Sequence, residues 1–212
     1  MLSVQTLAGR IRTRLHDTDE ITYDDSEILD CINNGVRFIR RTIANIRPAL
    51  LMSEHTGTVP AGATSIELPV PPLKIINVSW GRHGNFLHET EMAHAIFDGV
   101  YKSAEDPTDF FLTGTKTINF FPRPLSSKEY TVRTVDDIRE LDWDDNSPLL
   151  TEFDDFLIEY AAIRLSVGNE FDMTQENQLM ANIVAQIQKI LAPPPQGFVT
   201  RGYWDLWDGD YR

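Results

Sequence analysis

The residues able to do chemistry in this chain are its acids, a few histidines and one cysteine. His83, His88 and His94 come closest to a metal-ligand set, but their separations of five and six residues fit neither one helical face nor a known zinc pattern. They read as solvated loop histidines. The run from Asp136 to Asn146 holds six carboxylates in its first ten residues, and Asp142, Asp144 and Asn146 take positions 1, 3 and 5 of a calcium-loop pattern. The pattern then fails. Ser147 stands where glycine would make the sharp turn, and Phe153 where a bidentate glutamate is needed. An ordinary acidic loop is the expectation. General acid–base catalysis needs carboxylates whose surroundings separate their pKa values, and 32 acids supply many coincidental pairs. A carboxylate-dependent hydrolase using acids of the 136 to 145 run is therefore the alternative reading. Thr113-Gly114-Thr115-Lys116 is a hairpin tip and not a P-loop, and no G-x-S-x-G or H-E-x-x-H motif occurs. The chain reads as a non-enzyme with no metal and no cofactor.

Cys31 excludes an internal disulfide and a cysteine-based zinc site, and fits a small buried residue in a reducing cytosol. The opening MLSVQTLAGRIRTRL shows no apolar run with a cleavage site, and nothing approaches the roughly 18 apolar residues of a membrane span. A soluble intracellular product without a membrane partner is expected.

Charge is distributed unevenly. The net charge of −13 argues against a protein that grips nucleic acid, because phosphate binding needs clustered Lys and Arg. Yet residues 1–50 balance seven arginines against seven acids. Arg37, Arg40 and Arg41 share one helix face, placed either to meet acidic patches on a neighbouring copy or simply to be solvated. After the triple proline 193–195, the segment QGFVTRGYWDLWDGDYR holds Phe198, Arg201, Tyr203, Trp204, Trp207 and Tyr211. Tryptophans in such a segment imply a partner surface, or a fold-back over the chain's own helices. Burying five rings would contribute about 25 kcal/mol, and ordering the segment costs about as much. One such arm docks marginally, whereas many tethered on one assembly dock well. If there is only one partner, a one-to-one protein-binding regulator is the other alternative.

These residues must be positioned by elements legible as periodicity. Val4, Leu7, Ile11 and Leu15 mark a first helix ending near His16-Asp17, and Leu29, Ile32, Val36, Ile39, Ile43 and Ile46 a second. Thr22 or Asp24 caps the second helix, and Pro48 stops it. Gly35 inside it costs roughly 1 kcal/mol against Ala, which implies close packing or a bend. From Thr56 to about Val135, short runs rich in Ile, Val, Thr and Phe read as antiparallel strands, with Gly114 turning a hairpin. The stretch from His83 to Tyr101 is ambiguous. A third helix is expected after Ser147-Pro148, burying Phe153, Phe156, Leu157, Tyr160 and Ala161. Asp172 and Gln175 open a fourth, with Met180, Ile183, Val184, Ile187 and Ile190 inward.

The resulting expectation is α+β: an antiparallel bundle of about four helices from both chain ends, a β-rich antiparallel insertion and an extended C-terminal tail. The parts are 1–55 with 147–195, then 56–146, then 196–212.

The opening helix, YDDSEILDCINNGVRFIRR, the β-rich middle with NFFPRP, and LLTEFDDFLIEYAAIRLSV before a last helix and tail together resemble the head-to-tail adaptor proteins of tailed bacteriophages. The resemblance implies a structural virion protein, made in the host cytoplasm and seated in the neck between capsid and tail. It implies a homo-oligomeric ring, usually a dodecamer, beneath the portal protein, a docking platform for a downstream tail or nozzle protein, and DNA passing through the channel without specific binding. It also implies arms that reach the portal. The long β middle departs from the shorter members.

Overall fold

Apolar residues at three- and four-residue spacing fold as helices where a cap lets the first turn start. In the computed structural model, which describes residues 2–81, 84–91, 103–170 and 173–192, Ser3 caps α1 (Val4–Arg14) by accepting the Thr6 amide at 3.2 Å. Asp24, not Thr22, caps α2 (Asp25–Ile46), and the Glu27 carboxylate accepts the Asp24 amide at 3.1 Å. Pro48 begins a 3-10 turn, Pro48–Leu51, beyond the end of α2. The buried faces include Leu7, Ile11, Ile32, Val36, Ile39 and Ile43 as the periodicity marked, whereas Ile28 is fully buried and the expected Leu29 and Ile46 are half-buried.

The third helix begins later than expected. Ser147 is not its cap, because the Ser147 amide donates to the Leu2 carbonyl at 2.8 Å and its hydroxyl accepts the Leu149 amide at 3.3 Å. A 3-10 turn, Thr151–Phe153, intervenes, and α3 runs Asp154–Glu170. It buries Leu157, Tyr160 and Ala161 against α2 and α1, with Phe153 just ahead of it. α4 (Met173–Leu191) buries Ile183, Ile187 and Leu191, whereas Ile190, expected inward, is 45% exposed. The four-residue step from 183 to 191 is the stripe that meets the core, and Ile190 falls beside it. Asp172 and the triple proline lie outside the described residues.

Gly35 is explained by α3. A Cβ there would stand 2.5 Å from Leu157 Cδ1 and 2.9 Å from Tyr160 Cδ1. The glycine lets two helices from distant parts of the chain come together, and the Tyr160 ring stacks on Phe38 with centroids 5.1 Å apart.

The strands form a second unit with its own core. β1 (Met52–Val59), β10 (Lys128–Asp136), β3 (Pro72–Trp80) and β4 (Asn85–Phe86) pair antiparallel in that order. A second sheet has the order β5 (His88–Glu89), β7 (Asp109–Thr113), β8 (Thr117–Phe121) and β2 (Ser65–Glu67). Only Leu87 separates β4 from β5. Its amide donates to Val78 at 2.9 Å, while that of His88 donates to Thr108 at 3.0 Å, so one bent strand carries the chain from the first sheet into the second. β6 (Ser103–Ala104) and β9 (Arg123–Pro124) make a small parallel pair. Val78, Trp80, Leu87, Phe110, Phe120 and Val132 share the interior, and Trp80 meets Phe120 edge-on at 5.0 Å. Gly114, at φ 62°, turns the expected β7–β8 hairpin.

The expected architecture, an antiparallel helical bundle with a β-rich antiparallel insertion, is overturned. Beside four described helices stands a mixed sheet of seven strand positions, curled nearly into a barrel. The overturning observation is the parallel pairing of β5 with β7, together with the bend at Leu87 that merges two sheets around one core. Periodicity marks short strands but carries no information about the direction of a partner some twenty residues away.

Gly35 and Gly9 of the helical unit should respond oppositely to alanine. Gly35→Ala overpacks the α2–α3 contact and should lose about 1–2 kcal/mol. Gly9→Ala, whose Cβ would meet nothing within 4 Å, should gain about 1 kcal/mol. Urea unfolding of both variants checks the pair of signs.

Candidate functional site

The acidic run is a strap on the helices. The Asn33 side chain, buried on α2, accepts the Leu141 amide at 2.8 Å and donates to the Leu141 carbonyl at 3.2 Å. One amide thus satisfies both backbone groups of a buried loop residue, as a neighbouring strand would. Next to it, Arg37 donates to Glu140 at 2.9 Å. Asp145 accepts the Asp142 amide at 2.8 Å and Arg139 at 2.6 Å, and the Asp142 amide first, then Arg139, holds its carboxyl below the usual range. These acids are spent on structure. Asp142, Asp144 and Asn146 sit in this turn, and no group of three His, Cys, Asp or Glu side chains among the described residues is placed to hold a metal ion. His88 is exposed on β5, while His83 and His94 lie outside the described residues.

Asp136, at the end of β10, is where the two units meet. Its carboxylate accepts from Thr134 and from His55 Nε2 at 3.0 Å, and its carbonyl accepts Arg40 at 3.0 Å from α2. Burial works to raise the Asp136 pKa, but the hydrogen bonds from Thr134, His55 and Ser53 together hold it low. Burial also lowers the Arg40 pKa, against the pull of Asp137 and Asp136. The sequence carried no signal for His55, which becomes a partner only when β1 lies alongside β10.

A second knot closes the α1–α2 loop. Arg12, 6% exposed, donates to Asp17 at 2.8 Å and to Asp25 at 2.7 Å. Asp17 also accepts the amides of Ile21, Thr22 and Tyr23, and the Thr22 amide contributes most to holding its carboxyl low, with burial opposing. Its donors are largely backbone groups, which side-chain spacing does not reveal. Beside the knot, Gln5, Ala8, Gly9, Arg12, Glu20, Asp25 and Trp143 line a groove of about 370 Å³.

The three arginines on one face of α2 have different fates. Arg37 and Arg40 bind the chain's own residues 136–140, whereas Arg41 is exposed and has no ion-pair partner among the described residues. Arg47, at the C-cap of α2, is likewise exposed and unpaired there. Lys74 on β3 reaches back to the Ala44 carbonyl at 3.4 Å, a cation beside a helix C-terminus. Leu50, 41% exposed, and Met52, 45% exposed, follow directly. Phe198, Arg201, Tyr203, Trp204, Trp207 and Tyr211 lie outside the described residues. Burial pushes the Cys31 thiol up, away from nucleophilic reactivity. Among the described residues, no helix is long and apolar enough to cross a membrane.

What the surface presents is suited to binding: a cationic and apolar junction on an otherwise acidic molecule. A family model described as SU10 adaptor protein matches residues 2–196, the span holding both units. No curated protein matches the chain.

Asn33→Ala leaves both backbone groups of Leu141 unpaired in a buried place and should cost about 1–3 kcal/mol. A fall of several degrees in the thermal midpoint, read by circular dichroism, checks it. Acid should also destabilise the fold. Asp17, Asp106, Asp136 and Asp145 all have folded pKa values lowered from the ordinary one, so their contribution is complete above the unfolded value near roughly 4. It is lost as pH falls through the folded values. The thermal midpoint should hold between pH 7 and about 5 and drop below about 4. In Asp17→Asn it should be lower at neutral pH and fall less steeply in acid.

Proposed function

Because the chain belongs to the SU10 adaptor protein family, a family of phage head-to-tail adaptors, we propose that it is a non-enzymatic structural protein of the virion that forms a homo-oligomeric ring beneath the portal. The ring extends the DNA channel and docks the downstream tail or nozzle protein. The observation that carries this reading is the family match over residues 2–196, which spans the helices and the curled sheet alike.

Charge supports it. Twelve copies of a chain at −13 would surround DNA with a strongly acidic wall, which repels phosphate and lets the duplex slide. The carboxylates between 136 and 145 support it too. Glu140 and Asp145 are tied to arginines, and Asp145 has a lowered pKa where a general acid needs a raised one. In this reading the protein is made in the host cytoplasm and resides in the neck. The aromatic residues Phe198, Tyr203, Trp204, Trp207 and Tyr211, with Arg201, bind the portal or a neighbouring copy.

Electron microscopy of the full chain mixed with its portal should show a ring coaxial with the portal, with twelve subunits the expected number. Monomers in the absence of portal are compatible with this, since a template can drive assembly by mass action. Failure to bind the portal under every assembly condition, with normal virion assembly by a chain truncated after residue 196, would sink the proposal.

A further inference from the structure

The family match stops at residue 196 and leaves the aromatic segment beyond it without an account. From Tyr203 to Tyr211 that segment holds four aromatic rings, three aspartates and no Lys or Arg. It is the chemical complement of one described surface. Where α2 passes into β1, Arg41 and Arg47 are exposed without ion-pair partners among the described residues, Lys74 lies alongside at Ala44, and Leu50 and Met52 expose apolar side chains. Elsewhere among the described residues Arg14 pairs with Glu159, Lys116 with Glu67, Lys128 with Asp106, Arg133 with Glu54 and Arg139 with Asp145. Arg10 and Lys189 stand on other helices, and the exposed Arg123 donates to the Gly62 carbonyl.

We propose that the segment Tyr203–Tyr211 of one copy docks on the α2–β1 junction of a second copy, with its aspartates facing Arg41, Arg47 and Lys74 and its rings over Leu50 and Met52. The proposal rests on the multi-copy assembly argued above. Two copies at −13 repel, so an interface between them is favoured where cations of one meet acids of the other. Cations are the scarcer charge on this molecule, and the junction brings three exposed ones together. Arginine guanidinium groups also stack on aromatic rings, so Arg41 and Arg47 can serve both the acids and the tryptophans. The 20 residues from 193 to 212 span at most roughly 65 Å, enough to reach an adjacent subunit. Ordering such a segment costs nearly what its rings contribute, so docking is favoured where the arm is already tethered beside its site.

The test uses the full chain with the photo-reactive residue benzoylphenylalanine in place of Trp204, mixed with an isotopically heavy full chain. Illumination should give heavy–light products joining position 204 to the stretch 41–52. Arg41→Glu with Arg47→Glu in the heavy chain should lower the yield roughly tenfold, and Asp205→Lys with Asp208→Lys in the light chain should restore it. Products confined to one isotope mean that the segment folds back on its own chain, and the proposal falls. It falls equally if the cross-links lie elsewhere, or if no heavy–light product forms. Suppression of the product by short duplex DNA, with no rescue by the exchanged charges, would assign the cations to nucleic acid instead. The portal is added as the assembly template and ring formation is read separately by electron microscopy, so this proposal and the ring reading can fail separately.

Discussion

The helical unit depends on how closely α2 and α3 approach at Gly35. The Leu157 and Tyr160 side chains occupy the space a Cβ would fill, which brings together helices separated in the chain by the entire β unit. That approach fixes which face of α2 remains for the residues after β10. Asn33, two residues before Gly35, takes both backbone groups of Leu141, and Arg37, two residues after it, takes Glu140. A loop that composition alone marks as a solvated acidic run thus becomes an ordered strap. Its apolar members, Leu141 and Trp143, complete the core that the first two helices begin.

The same logic explains the electrostatics. A chain with 32 acids against 19 Lys and Arg commits Arg12, Arg37, Arg40, Arg133 and Arg139 to its own loops and strands. In the ring proposed above, like-charged copies would have to bind one another and let DNA pass, and a surface on which cations are scarce suits both demands.

Helix periodicity was legible because each stripe is local: Leu7 with Ile11, or Ile32 with Val36 and Ile39, needs no knowledge of the partner. The Asp24 cap, the stop at Pro48 and the turn at Gly114 were legible for the same reason. The start of α3 was not legible because Ser147-Pro148 has the chemistry of a cap, while the Ser147 amide is claimed by Leu2 from the far end of the chain. The sheet topology was not legible because strands as short as His88–Glu89 take their direction from the core that they close and not from their own residues. Of the candidate surface, the shared face of Arg37, Arg40 and Arg41 could be read directly. Which of the three stays exposed depends on residues about a hundred positions away.

The chain crosses between helices and curled sheet twice, after α2 and after β10, and the crossings lie side by side because Met52 pairs with Val135 at the start of the β1–β10 ladder. A single connection would allow the sheet to swivel. Two hydrogen-bonded strands, cross-braced by His55 and Asp136 and anchored to α2 through Arg40, resist torsion as a ribbon does. Two register shifts late in the β10–β3 ladder put the bend of this ribbon at its root. A push on the sheet therefore reaches the helices as a displacement of the whole unit instead of being absorbed at a hinge.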